Sequence, residues 1–225
     1  MSDASPRHVL PAYNLEVASR LRHFIVENVR TARRFLKRCD PGCDIDSITF
    51  YELNNHIPAD AIPSYLAPME RGEDMGVMSE AGCPAVADPG AQVVGLAQRK
   101  GYKVVPLVGP SSILLSLMAS GFNGQGFAFN GYLPIETADR DKAIRNLEAT
   151  SRRTGLTQIF IETPYRNDRL LERLLHILQP STMLCIGRDI TSPEGERIES
   201  RPVSVWRKNP PELGKVPVIF LIHCY

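Results

Sequence analysis

The chain has 225 residues, of which 43% are hydrophobic and 23% charged, a composition that fits a globular protein and excludes a disordered or membrane-embedded one. Lys and Arg number 26 against 25 acidic residues, so the whole chain carries no polyanion-binding excess and any nucleic-acid footprint must be local. No segment approaches the roughly 18 uncharged apolar residues that a membrane span needs. The start, MSDASPRHVLPAYN, lacks a basic end followed by an apolar stretch, so export and membrane insertion are not expected. Cys39, Cys43, Cys83, Cys185 and Cys224 form no CxxC pair and are odd in number, which reads as reduced thiols in a cytoplasmic protein.

Short apolar runs rich in β-branched and aromatic residues recur at His23 to Glu27, Ser47 to Tyr51, Asp74 to Ser79 and Tyr102 to Val108. Helical patterns lie between them, so the strands should be mostly parallel and ligands should bind beyond their carboxyl ends. A helix is predicted over Pro89 to Lys100, stopping at Gly101, and another from about Pro110 to Gly121. GFNGQGFAFNG, residues 121–131, interrupts this rhythm and sets the predicted domain boundary, with one α/β domain over 1–122 and an α+β domain over 123–225. The second domain should contain Phe127 to Leu133, a charged helix within Ala138 to Arg153, a strand Thr157 to Glu162, a helix Pro164 to Leu178 and a strand Thr182 to Gly187. Two further strands are expected around Arg197 to Trp206 and Val216 to Ile222.

Two loops suit a ligand. Ser79-Glu80-Ala81-Gly82-Cys83-Pro84 places small residues where a strand opens into a loop, so that backbone groups can approach a ligand closely. Asp88-Pro89-Gly90 then leads into a helix start whose N–H groups would hold a carboxylate. Equally, Asp88 is a plain helix cap and the glycines only make turns. Pro106 to Ser112 repeats the strand, turn and hydroxyl-bearing helix start.

SEAGCPAVADPG, then VVPLVGPSS, then FNGYLP, in that order and spacing, resembles the tetrapyrrole methylase family of S-adenosylmethionine-dependent methyltransferases. The branch it looks most like contains the small-subunit ribosomal RNA cytidine 2′-O-methyltransferases. IFIETPYRNDRLLE, GRDIT with Glu196, and VENVR resemble further family segments, so the likeness runs from about Leu10 to the end. The resemblance implies a two-domain α/β fold with a mostly parallel N-terminal sheet and a mixed C-terminal sheet. It implies a homodimer that binds S-adenosylmethionine in a cleft lined by Ser79, Glu80, Ala81, Gly82, Pro84 and Asp88, by Pro110, Ser111 and Ser112, by Tyr132, Leu133 and Pro134, and by Thr163 beside Glu162. Two departures stand out. The family's first strand and its L-G-D-type loop have no counterpart before the MSDASP start, and the family's E-D-T-R element reads Glu27-Asn28-Val29-Arg30.

A hydroxyl acceptor must lose its proton at some stage, and Glu80, Glu162 and His56 are the candidate bases. Arg30, Arg34 and Lys37, with Arg38, share one face of a predicted helix and would grip RNA phosphates, or form an ordinary solvated basic face. Arg166 either contacts substrate or orders Glu162. No metal is implied. The expected activity is ribose 2′-O-methylation of ribosomal RNA, free or in the small ribosomal subunit. Methylation of a porphyrinoid, or cofactor binding without catalysis, are the alternatives.

Overall fold

The computed structural model describes residues 5–54, 58 and 61–225. Two compact units divide the chain, Met1–Ser111 and Ser112–Tyr225. The division falls before the helix Ser112–Ser120, and not after it as the glycine-rich stretch suggested, because that helix packs on strands of the second unit.

In the first unit, β1 (His23–Val26) pairs in parallel with β2 (Thr49–Glu52) on one side and β3 (Met75–Met78) on the other, in the order β2-β1-β3. Alternation along β1 sets the layers. Phe24 and Val26 face a cluster with Ala32, Leu36, Ile45 and Ile48, whereas Ile25 faces one with Leu53, Ile62, Leu66, Val93 and Ala97. The helix α2 (Val29–Cys39) therefore covers one face, and α3 (Ile62–Tyr65), α4 (Ala67–Glu70) and α5 (Gly90–Arg99) gather on the other. Burial on both faces is the normal setting of a parallel sheet. A preceding helix, α1 (Ala12–Arg20), was not marked by the sequence patterns.

The predicted strand Tyr102 to Val108 is not formed. Residues 102–111 carry no ladder, although Tyr102 and Val104 pack on the Ile25 cluster, and Val105 and Val108 are 55% and 75% exposed. Strand composition supplies a propensity, but a strand exists only where a neighbour meets its backbone groups. Here the carbonyl of Val108 instead accepts from Asn14 Nδ2 at 2.7 Å.

The second unit contains α6 (Ser112–Ser120), β4 (Phe127–Tyr132), α7 (Thr137–Thr154), β5 (Thr157–Glu162), α8 (Asn167–Ile177), β6 (Met183–Arg188), β7 (Arg197–Pro202), α9 (Val203–Trp206) and β8 (Val218–His223). Its mixed sheet runs β4-β5-β8-β6-β7, with β4 parallel to β5 and the other pairs antiparallel. All six residues of β8 are buried, as a continuous apolar central strand requires. Val218, Phe220 and Ile222 pack with Ile144 of α7 and Leu170 and Leu174 of α8, while Ile219 and Leu221 face Leu117 of α6. Gly187 permits α6 its close approach, since a Cβ there would lie 2.8 Å from Ser116 Oγ. The strand expected around Arg197 to Trp206 stops at Pro202. From there the chain turns into α9, where Trp206 Nε1 donates to Leu184 O at 2.9 Å. All five cysteines are free.

Candidate functional site

The carboxyl ends of β1 and β3 lie side by side, so the residues that follow them, Glu27 and Ser79, begin neighbouring loops. The backbone N–H of Glu80 donates to Glu27 Oε1 at 2.8 Å. From α2 the hydroxyl of Thr31 donates to Glu80 Oε1, and Asn28 caps the same helix by accepting from Thr31 N at 3.1 Å. Glu27 and Thr31 thus hold Glu80, and Asn28 in turn holds Thr31. Of this group, the sequence patterns mark only Glu80 as a candidate site residue. Glu27 lay in the ENVR element, and Thr31 had no signal beyond its place three residues after a helix cap.

The loop itself stands open. Ala81, Gly82, Pro84 and Val86 are exposed, and Ser79 Oγ donates to the carbonyl of Gly82 at 3.2 Å. Gly82, Ala85 and Ala87 all have positive φ, at 75°, 66° and 59°. Two alanines in that region store backbone strain, which packed surroundings must hold in place. Asp88 does so. Its Oδ1 accepts from Ala85 N at 2.7 Å and from Gly90 N at 2.8 Å, so the first amide of α5 is spent on the loop. No room remains for a side chain at position 90, where a Cβ would lie 2.9 Å from that oxygen. Among the described residues the N–H groups of Ala81, Gly82 and Cys83 have no partner. Cys83 Sγ lies 3.4 Å from the carbonyl of Pro110, tying this loop to the turn before Ser111.

On α2, Arg30, Arg34, Lys37 and Arg38 are all exposed, opposite buried Ala32 and Leu36. Arg33 is engaged with Asp46 at 2.6 Å and Lys37 Nζ with Pro41 O at 3.3 Å. His56 lies outside the described residues.

In the second unit, Glu162 ends β5 and is buried. Its Oε1 accepts from Thr163 N and from Arg166 Nη2, both at 2.7 Å, while Oε2 is buried without a partner. Arg166 therefore orders Glu162. Tyr132 is 59% exposed at the end of β4 and Pro134 is exposed, but Leu133 sits in the core, so only its backbone is available to a ligand. Ser112 is the first residue of α6.

The unspent amides of 81–83 suit a carboxylate, such as that of the amino-acid part of S-adenosylmethionine.

No protein-family profile matches the chain. It is 33% identical over 165 residues to ribosomal RNA small subunit methyltransferase I of Mesorhizobium japonicum, covering 73% of this chain and 53% of that protein. The protein of that name in Escherichia coli O157:H7 is 29% identical over 175 residues (76% and 59%), and the one in Vibrio cholerae 28% over 214 residues (94% and 71%). Among solved structures, the methyltransferase CobJ aligns with a TM-score of 0.61 at 17% identity, covering 95% of this chain and 88% of that one. The chain therefore shares the fold of that methyltransferase. Its sequence likeness lies with the proteins named ribosomal RNA small subunit methyltransferase I. Uroporphyrin-III-C-methyltransferase from Thermus thermophilus, with a TM-score of 0.57 at 17% identity and covering 99% of this chain and 90% of that one, shares the fold. The chain spans little more than half the length of the first two relatives. No helix among the described residues is long and apolar enough to cross a membrane.

Proposed function

We propose that the chain is an S-adenosylmethionine-dependent methyltransferase that methylates a ribose 2′-hydroxyl of small-subunit ribosomal RNA. The observation that carries the reading is the similarity to ribosomal RNA small subunit methyltransferase I proteins, at 33% identity for that of Mesorhizobium japonicum. The fixed geometry of Glu80 supports it.

The amides of Ala81, Gly82 and Cys83, with Pro110 and Ser111, hold the cofactor's polar groups. The bound cofactor supplies a methyl group on a good leaving group. The protein's part is then to position the acceptor and to take its proton. Glu80 is the base, because it sits at the open loop and is held by Thr31 and Glu27. Glu162 is buried, with one oxygen occupied by Arg166 and Thr163, and is a structural acceptor of the second unit. The exposed face of Arg30, Arg34 and Lys37 meets RNA phosphates. The protein works as a homodimer in the cytoplasm.

The test is transfer of labelled methyl from S-adenosylmethionine to small subunits lacking the modification, followed by alkaline hydrolysis. A labelled, alkali-resistant dinucleotide supports the reading. Label in a porphyrinoid and none in RNA overturns it.

A further inference from the structure

A second cationic site lies in the second unit, far along the chain from the residues above. Arg145, Arg152 and Arg153 of α7 line a concavity of about 620 Å³ whose other wall carries Gln179 and Ser181. The spacing is helical. Residues seven apart fall nearly in line on a helix, so Arg145 and Arg152 stand on one stripe with Arg153 beside them. Ala149, between them at the four-residue step, leaves the floor of the concavity empty of side chain.

Charge at this site is unbalanced. All three arginines are exposed, and none has an ion pair among the described residues. Asp141, one turn before Arg145 on the same helix, is held below the usual range, chiefly by its hydrogen bond to Arg173 and by the charge of that guanidinium, with Arg145 contributing less. Glu148 lines the concavity but is buried. Its Oε1 accepts from Gln179 N at 2.8 Å and from the Thr182 hydroxyl. Three guanidinium groups therefore face one carboxylate that already serves as an internal acceptor.

Placement at a helix end explains part of this, since cations in the last turn suit the helix dipole. It does not explain Arg145, two turns earlier, or the concavity. Arg145 and Arg152 lie about 10 Å apart along the helix, a spacing from which two long side chains can reach separate phosphates of one strand.

We propose that the concavity of Arg145, Arg152 and Arg153 binds the phosphodiester backbone of the RNA substrate, as a contact additional to the α2 face. This rests on the RNA reading above. Its yield is affinity and orientation, without sequence discrimination.

The experiment compares the full-length chain with the triple variant R145Q/R152Q/R153Q. Binding to a small-subunit ribosomal RNA transcript is measured across a salt series, with thermal melting as the folding control. Each phosphate contact to a flexible strand contributes about 0.7 to the slope of log K against log salt, so the variant's slope should fall by about 2. Affinity for S-adenosylmethionine should not change, and R145K/R152K/R153K should recover most of the slope. An unchanged slope in a folded Gln variant, with the parent binding RNA, overturns this site alone. A parent that binds no RNA overturns both this site and the RNA reading.

Discussion

The backbone N–H of Glu80 points at the Glu27 carboxylate, 2.8 Å away, joining the loop after β3 to the residue after β1. A hydrogen bond to an ionised acceptor contributes about 1.5–3 kcal/mol, most of it here to loop geometry. Glu27→Ala should lower the affinity for S-adenosylmethionine roughly tenfold by calorimetry. Glu27→Gln, which keeps an acceptor oxygen, should lose less. Equal affinity in all three proteins would show that the contact does not shape the ligand loop.

Asp88 braces the two alanines that sit at positive φ. Asp88→Ala removes the acceptor of two amides, Ala85 and Gly90, and should cost about 1–2 kcal/mol in urea unfolding. Ligand affinity should fall further than the stability loss alone gives, because the strained loop loses its reason to stay in place.

Arg166 and Glu162 form a pair in which the carboxylate side chain is 1% and the guanidinium 34% exposed. Arg166→Ala leaves a buried charge with only the Thr163 amide for company and should cost about 3 kcal/mol. Arg166→Lys should restore part of this. Denaturant melts of the two variants provide the check. Near-identical midpoints for parent and Arg166→Ala would mean that water replaces the guanidinium without loss.

His223 is buried at the end of β8, with Nδ1 3.4 Å from Thr157 Oγ1 and its ring stacked 5.7 Å from Phe122. Burial lowers its pKa from the ordinary 6.5. Below that pH the unfolded chain takes up a proton that the folded one refuses, so stability present above pH 6.5 is lost on acidification. His223→Asn should flatten the fall in melting temperature between about pH 7 and pH 5. An unchanged pH profile would assign the acid sensitivity to other groups.

Sequence patterns located the layers well because β1 and β8 are buried on both faces, and such strands must be continuous apolar runs. They misread residues 102–108 because composition reports a preference for extension, whereas a strand needs a partner that no local signal reveals. The boundary was drawn too late for a related reason. The glycines of 121–131 mark turns truly enough, but α6 joins the second unit through contacts of Leu117 with Ile219 and Leu221, about a hundred residues away in sequence. In the loop after β3, the local pattern marks Glu80 as a candidate from its neighbours in the chain. The role of Glu27 and Thr31 has no such local mark, since it arises only from the parallel pairing that sets the end of β1 beside the end of β3.

The two units are unequally knit. Among the described residues, one has three strands of four residues each and the other five strands of six, with β8 sealed at the centre. Amide protons of β8 should exchange only with global opening, while those of β1 to β3 should leak through local fluctuations at much lower free energy. A ligand held by the 79–90 loop would therefore announce itself chiefly as slowed exchange in the first unit, making occupancy of that loop a switch for the order of the weaker half.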